Sequence, residues 1–337
     1  MKIKEKLQSG NVHISFEVFP PKTDDKYESV VKAVDEIATV RPSFISVTYG
    51  AGGGTSKNTV GIASHIQNEL HVPSLAHLTC VSSTKAEVRE VVHKLKQEGI
   101  ENVLALRGDI PEGMAYPAED KFQHAAGLIE LLKESGDFCI GGACYPEGHV
   151  ESDTQKEDIR YLKEKVDCGL DFLTTQMFFD NHILYNFLYK IREAGITVPV
   201  LPGIMPVTNK SQIRRICSLS GTYLPERFKA VVDRFGDNPK AMRQAGVAYA
   251  TDQVIDLIKK DLGKVDAVIY SLAAPRRTAE DGTVYQSVLK TTGEDFTNKN
   301  LNLKDNTIGE KTIEAATEEE VEATVKVMGG EDWMDWM

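Results

Sequence analysis

The stretch LAHLTCVSSTKAEVREVVHKLKQEGIENVLALRG, residues 75–108, reads as strand, helix, strand. Leu75–Cys80 and Asn102–Gly108 are short apolar runs of strand length. Between them Thr84–Glu98 sets Val88, Val91, Val92 and Leu95 along one face at helical spacing. Gly99 follows the charged end of that helix, where a left-handed C-cap suits glycine.

Working outward, the same alternation recurs. Strands are predicted at His13–Phe19, Phe44–Gly50, Cys139–Pro146, Phe172–Phe179, Val198–Ile204 and Ala267–Ala273. Lys26–Thr39 repeats the helical pattern with Val30, Val31, Val34 and Ile37, and Gly195 repeats the stop. Eight strands with intervening helices are the arithmetic of a (β/α)8 TIM-type barrel, an α/β fold of about 250 residues. The interval 205–266 must hold an extra helix besides the crossover. The rival doubly wound sheet needs fewer strands and an open edge. The expected division is a barrel over residues 1–277 and an acidic C-terminal extension over 278–337. Within the extension, Thr278–Thr307 is polar and turn-rich and reads as a linker or arm, and Ile313–Met328 as one short helix.

Composition narrows the function classes. The 337 residues are 41% hydrophobic and 26% charged, which suits a globular chain. No run of about 18 apolar residues predicts a membrane span, and MKIKEKLQSGNVHISFEVF lacks the pattern of a secretory signal. Five scattered cysteines without CxxC spacing predict reduced thiols in a cytoplasmic protein, with no zinc site. Of the net charge of −11, residues 301–337 carry −7, from ten acidic and three basic side chains. Such a balance lacks the clustered Lys and Arg that nucleic acid needs.

In a barrel of this kind, chemistry sits at the C-terminal ends of the strands. Read in order, those ends offer Glu17; Thr48 and Tyr49; His77 and Thr79; Arg107 and Asp109; Tyr145, Glu147 and His149; Gln176; then Asn209 and Gln212. Glu17, inside ISFEVFPP, is a carboxylate among apolar neighbours, where burial raises its pKa toward the range of a general acid. An ion pair across the barrel is the structural alternative. Arg107 offers a guanidinium fork for phosphate or carboxylate, or an ion pair with Asp109. His149 reads as a hydrogen-bond donor to a bound group, and Gln176 and Gln212 as two-sided partners for an amide-like heterocycle, or as simple loop caps. YGAGGGTSKN (49–58) fits a dinucleotide loop poorly: Thr55 stands where a small residue is needed, and the next strand ends without a ribose-binding acid. Its glycines suit close backbone approach to a flat ligand, or plain flexibility.

SFEVFPP, SVTYGAGG, AHLTC, ALRGD, YPEGH, KVDCGLDFLTTQMFFD and PGIMPVTN occur in this order, within a likeness that covers about residues 10–275. Together they resemble the methylenetetrahydrofolate reductase family. The resemblance implies a barrel with non-covalent FAD, reduced by NADH or NADPH, that passes hydride to a folate in ping-pong fashion. It implies that Glu17 is the acid that assists ring opening and that Asp109 is the carboxylate beside the flavin. Thr48, Tyr49, Ala51, His77, Arg107, Gly108, Ala125, Tyr145, His149, Asp158 and Lys165 match cofactor-contacting positions. Gln176 and Gln212 match positions that meet pterin or nicotinamide, and Arg276 or Arg277 the arginine for the folate glutamate.

The chain also departs from that pattern. Tyr161 and Glu164 replace Asn and Arg, His124 replaces Tyr, and Ile216 replaces a nicotinamide-stacking Phe. The last strand reads IYSLAAPRR in place of YTLNR. A homo-oligomer is expected, and the tail EDWMDWM, with both tryptophans, is expected to contact a partner protein. Two other function classes fit the residues: a reductase-like subunit whose flavin takes electrons from a protein, and a flavin-free pterin-binding methyltransferase barrel.

Overall fold

The inward pleat of the strands organises this computed structural model. It describes all residues except 10, 22–26, 50–55, 111–119, 263–275, 279–282, 287–293, 303–306 and 329–337. Ala51, the expected strand 267–273 and the tryptophan tail lie outside the described residues. Seven strands, β1 (Ser15–Val18), β2 (Phe44–Val47), β3 (Ser74–Thr79), β4 (Asn102–Leu106), β5 (Cys139–Cys144), β6 (Phe172–Thr175) and β7 (Val200–Leu201), form one sheet. They lie in sequential order and every pairing is parallel. This is the winding of a TIM-type barrel.

Parallel strands need helical crossovers, and the sequence supplies them. A short helix α1 (Ile3–Leu7) precedes the first strand, and the crossovers in chain order are α2 (Tyr27–Ala38), α3 (Ser56–Ser64), α4 (Lys85–Gln97), α5 (Ala125–Ser135), α6 (Gln155–Asp167) and α7 (Asn181–Glu193). After β7 come α8 (Lys210–Ser220), α9 (Glu226–Phe235) and α10 (Pro239–Leu262), so the long interval holds three helices. Helix α4 begins on a capping box: Thr84 accepts from the amide of Glu87, and Glu87 accepts from that of Thr84. It stops at Gly99, whose φ of +68° is the left-handed turn expected there, and Gly195 does the same at +76°.

The pleat sends alternate side chains inward and outward. Outward residues meet the helices in the main core, which includes Ile45, Val47, Ala76, Leu78, Val103, Ala105 and Ile140. Inward, Phe44, Leu75, Leu104, Cys139 and Phe172 form a separate apolar layer that also contains Ile3 of α1. That short helix was not foreseen. It is held by Asn102, fully buried, which accepts from Ile3 N at 2.8 Å and donates to Ser74 O at 3.1 Å. Gly141 has no room for a side chain in this packing, since a Cβ would lie 2.5 Å from the Phe172 ring. Above this layer the inward residues turn polar.

The chain divides into two units, Met1–Lys264 and Val265–Met337. The second is not the plain arm expected from its polarity. It holds the hairpins β8 (Arg276–Thr278) with β9 (Val284–Gln286) and β10 (Phe296–Asn302) with β11 (Thr307–Ile313), followed by helix α11 (Glu318–Met328). The β10–β11 ladder runs over FTNKNLN and TIGEKTI, whose Thr, Ile and Phe residues suit strands despite their polarity. The helix begins within the expected 313–328, five residues later, because Thr317 caps it through the Glu320 amide.

Candidate active site

The polar inner layer begins on three adjacent strands. The β1–β2 register pairs Glu17 with Ser46, and His77, the next inward residue on β3 after Ser46's partner Leu75, reaches Ser46 with its ring. Ser46 Oγ lies 3.2 Å from Glu17 Oε2 and 2.6 Å from His77 Nε2, and that nitrogen is 3.4 Å from the same carboxylate oxygen. Burial lowers the His77 pKa to about 3, so the ring is neutral. Burial also raises the Glu17 pKa, against the opposing hydrogen bond from Ser46. The Glu17 side chain nevertheless keeps 44% of its surface accessible. The open mouth wets one side of the carboxyl while the barrel wall dries the other. The direction of the shift therefore holds, but its size is screened.

The second group lies on β4, β5 and α6. Arg107 directs its fork at Glu151, with nitrogen–oxygen distances of 2.5 and 2.6 Å. The sequence offers Asp109 as an ion-pair partner; the fork goes to a residue 44 positions on, beyond the reach of local spacing. Asp109 itself is exposed at the rim. Gly108 adopts φ +86°, and a Cβ there would lie 2.9 Å from that of Thr79, so glycine lets the β4 end pass close to β3. Tyr145 and His149 meet edge to face with centroids 4.6 Å apart. His149 Nδ1 accepts from the Glu151 amide at 3.1 Å. Burial is the largest cause of its lowered pKa, so the neutral ring carries its proton on Nε2 and can donate there.

Asp158 and Lys165 stand two turns apart on α6. Burial raises the first and lowers the second, and each opposes the other's shift. Lys165 also donates to Ala143 O at 2.9 Å. Ala125 is the first residue of α5, whose N-cap His124 supplies no side-chain cap. Thr48 continues the β2 ladder through Val18 O, and Tyr49 packs on the main core.

A third group faces a small, half-open cleft lined by Tyr145, Glu147, Gln176, Met177, Ser220 and Thr222. Gln176 Oε1 accepts from Met177 N, so the amide N–H groups are the donors that the side chain has left to offer. Glu147 accepts from the Tyr223 amide through one oxygen, while the other is buried without a hydrogen bond. Asn209 is spent on capping α8 through the Ser211 amide. Gln212 is exposed on that helix's first turn. Ile216 packs into a cluster with Phe179, Val207 and Phe228. Arg276 opens β8 in the C-terminal unit, and its side chain lies outside the described residues. Thus Glu17 and His77 meet directly, as do Tyr145 and His149. Ser46 and Glu151 were missed, although period-two alternation with the β1–β2 register would have pointed to Ser46.

Residues 2–273 match the family model for methylenetetrahydrofolate reductase. The chain belongs to the methylenetetrahydrofolate reductase family. It is 34% identical over 263 residues to the 5,10-methylenetetrahydrofolate reductases of Pectobacterium carotovorum subsp. carotovorum and Escherichia coli K12. Those alignments cover 78% of this chain and 86% and 87% of the relatives. Identity to methylenetetrahydrofolate reductase (NADH) 1 of Arabidopsis thaliana is 36%, over 74% of this chain and 45% of that protein. The chain therefore spans under half the length of the plant relative. In fold it is similar to a Clostridium thermocellum protein described as binding two copies of 5-methyltetrahydrofolate, with a TM-score of 0.53 and 13% identity over 78% of this chain and 88% of that one. Residues 218–337 also match the trans-2-enoyl-CoA reductase catalytic region. The family's barrel and the second match overlap over 218–273, so IYSLAAPRR lies where two family patterns meet.

No described helix is long and apolar enough to cross a membrane. All five cysteines are unpaired, and burial pushes Cys80 and Cys144 up to about 12 and Cys139 up to about 11, which leaves them as inert thiols.

His77 has a stability consequence. Its folded pKa lies below the unfolded value near 6.5, so below that pH the unfolded chain binds more protons. Its contribution is fully present above about pH 6.5 and is lost as pH falls toward 3, at up to about 1.4 kcal/mol per pH unit. Urea unfolding of wild type and His77→Gln across pH 4–7 should show a shallower acid loss in the variant by about one proton. Equal slopes would mean that His77 titrates normally.

Proposed function

We propose that this family member reduces 5,10-methylenetetrahydrofolate to 5-methyltetrahydrofolate by ping-pong hydride transfer, with FAD between NADH or NADPH and the folate. The observation that carries the reading is Glu17. It is an acid of raised pKa at the mouth of the barrel, anchored on one oxygen and open on the other. The donor set also fits a flat anionic cofactor. Arg107 presents a fork already matched to a carboxylate, His149 presents an N–H, and Lys165 supplies a buried cation beside Asp158. Thr48, Tyr49, Ala51, His77, Gly108, Ala125 and Tyr145 complete the proposed flavin surface. The bound flavin would supply hydride acceptance and donation.

The residues of the chain do the rest. Glu17 gives its proton to the folate nitrogen that leaves the methylene carbon. That carbon–nitrogen bond breaks, and the carbon stays on the other nitrogen as a cationic iminium. Asp109 favours that cation by charge, while Gln176 and Gln212 hold the substrate. After hydride addition yields the methyl group, Glu17 regains a proton from water. A second reading, with electrons from a partner protein, rests on Ile216, which packs inward where an aromatic would stack on nicotinamide. Anaerobic mixing of the flavin-loaded protein with each nicotinamide, then with methylenetetrahydrofolate, separates the readings.

Three outcomes are expected. Glu17→Gln should leave flavin reduction intact and slow the folate half-reaction by about 10²–10⁴-fold; a loss under about tenfold would remove Glu17 as the acid. Asp109→Asn should raise the flavin midpoint potential, since a nearby anion disfavours the electron-rich reduced form. A potentiometric titration showing no rise would place Asp109 away from the ring. Deleting residues 300–337 should leave both half-reactions unchanged while altering molecular mass in solution or partner capture. Unchanged mass and capture would make the tail a solubilising segment only.

A further inference from the structure

Glu17 has two oxygens in different situations. Oε2 takes both recorded contacts, Ser46 Oγ at 3.2 Å and His77 Nε2 at 3.4 Å. Oε1 has no hydrogen bond among the described residues, and the side chain is accessible toward the mouth. Ser46 is 6% exposed and His77 7% exposed, so neither hydroxyl nor ring is shared with bulk water. With Glu17 ionised, the neutral ring and the single hydroxyl proton set the polarity of the chain. An ionised carboxylate can only accept, so Ser46 donates to it; the serine oxygen, its proton committed, accepts from His77 Nε2–H. A donor series His77 → Ser46 → Glu17 results on three neighbouring strands, the β1–β2 register setting Ser46 opposite Glu17 and the His77 ring reaching Ser46 from β3. The element on the outer side of β1, α2, sets no ionised group against the carboxyl. Ser46 and His77 are the polar groups facing it among the described residues.

We infer that Ser46, oriented by neutral His77, is a positioning residue for Glu17: it pins Oε2 so that Oε1 delivers the proton, and it sets the pH at which the acid is spent. The inference rests on the function proposed above. Burial raises the pKa of the carboxyl, which makes it a better holder of a proton and a poorer donor. A hydrogen bond that favours the ionised form offsets this and brings donation within reach near neutral pH. Ser46 moves no proton itself; it donates one hydrogen bond and accepts one.

Two measurements test it on the full chain. The first follows the Glu17 carboxyl by infrared difference titration, with the band assigned by its absence in Glu17→Gln. Ser46→Ala should move the titration upward by about one pH unit, because a hydrogen bond to the charged form is lost, and Ser46→Thr should restore it. The second is the pH profile of the folate half-reaction. Its alkaline limb should move up by the same amount in Ser46→Ala, with the plateau lowered three- to tenfold, while flavin reduction by nicotinamide stays unchanged. Where Ser46→Ala does not hold flavin, Ser46→Cys, near in size and a weak donor, should show a smaller shift in the same direction. An unmoved titration, or Ser46→Thr behaving as Ser46→Ala, overturns the role of Ser46. A wild-type protein that titrates as described but does not reduce methylenetetrahydrofolate overturns the proposed function instead.

Discussion

The structure depends on the two-residue pleat of a parallel sheet wound in sequence order. Each strand must satisfy two environments at once: a helical layer outside and a narrow interior inside. Outward positions answer with Val, Ile, Leu and Ala against the helices. Inward positions answer in layers, first Phe44, Leu75, Leu104, Cys139 and Phe172 around Ile3, then the polar level of Glu17, Ser46 and His77. The apolar layer matters to the polar one above it. It closes the bottom of the barrel to water, so groups one pleat higher are dry on that side and wet only toward the mouth.

That one-sided drying accounts for the electrostatics of the site. Histidines 77 and 149 are held neutral, Glu17 and Asp158 are pushed toward protonation, and Lys165 is pushed toward its neutral form, with burial the largest cause each time. The opposing contributions are local and specific: Ser46 on Glu17, and the Asp158–Lys165 pair on each other. Groups at the outer rim behave differently. Arg107 and Glu151 keep an ordinary ion pair, and the half-exposed Glu151 stays below the usual carboxylate range because that guanidinium holds it there. Such an exposed partner is cheap to displace, since an ion pair open to solvent contributes little. The rim thus has a dry floor of Glu17, Ser46 and His77 and a wetter wall that carries Arg107 and Glu151.

Loops reach the site through distant anchors. The β6–α7 segment that carries Gln176 is fastened by α10, where Gln253 Nε2 donates to Phe178 O and the Tyr249 hydroxyl to Phe179 O. Glu147 ties the loop after β5 to the turn following α8 through the Tyr223 amide. These bonds cross 70 or more residues, and they fix the rim by elements that no local pattern connects to it. The C-terminal unit follows other rules, with polar β-hairpins where a linker was expected, because Thr- and Ile-bearing strands can pair without an apolar alternation.

The sequence by itself determined the winding: helical and strand periods alternate, glycines mark the helix ends, and seven of the expected strands formed within a few residues of their expected bounds. It also determined which residues reach the rim, because a strand's C-terminal end is a position in the chain. Which of those residues meet was decided only by tertiary structure. The β1–β2 register set Ser46 opposite Glu17, the His77 ring reached Ser46 from β3, and a residue far along the chain took the Arg107 fork in place of nearby Asp109. Periodicity is a property of one segment, whereas a hydrogen bond between strands needs their register, and a pKa needs the water that all the strands together exclude.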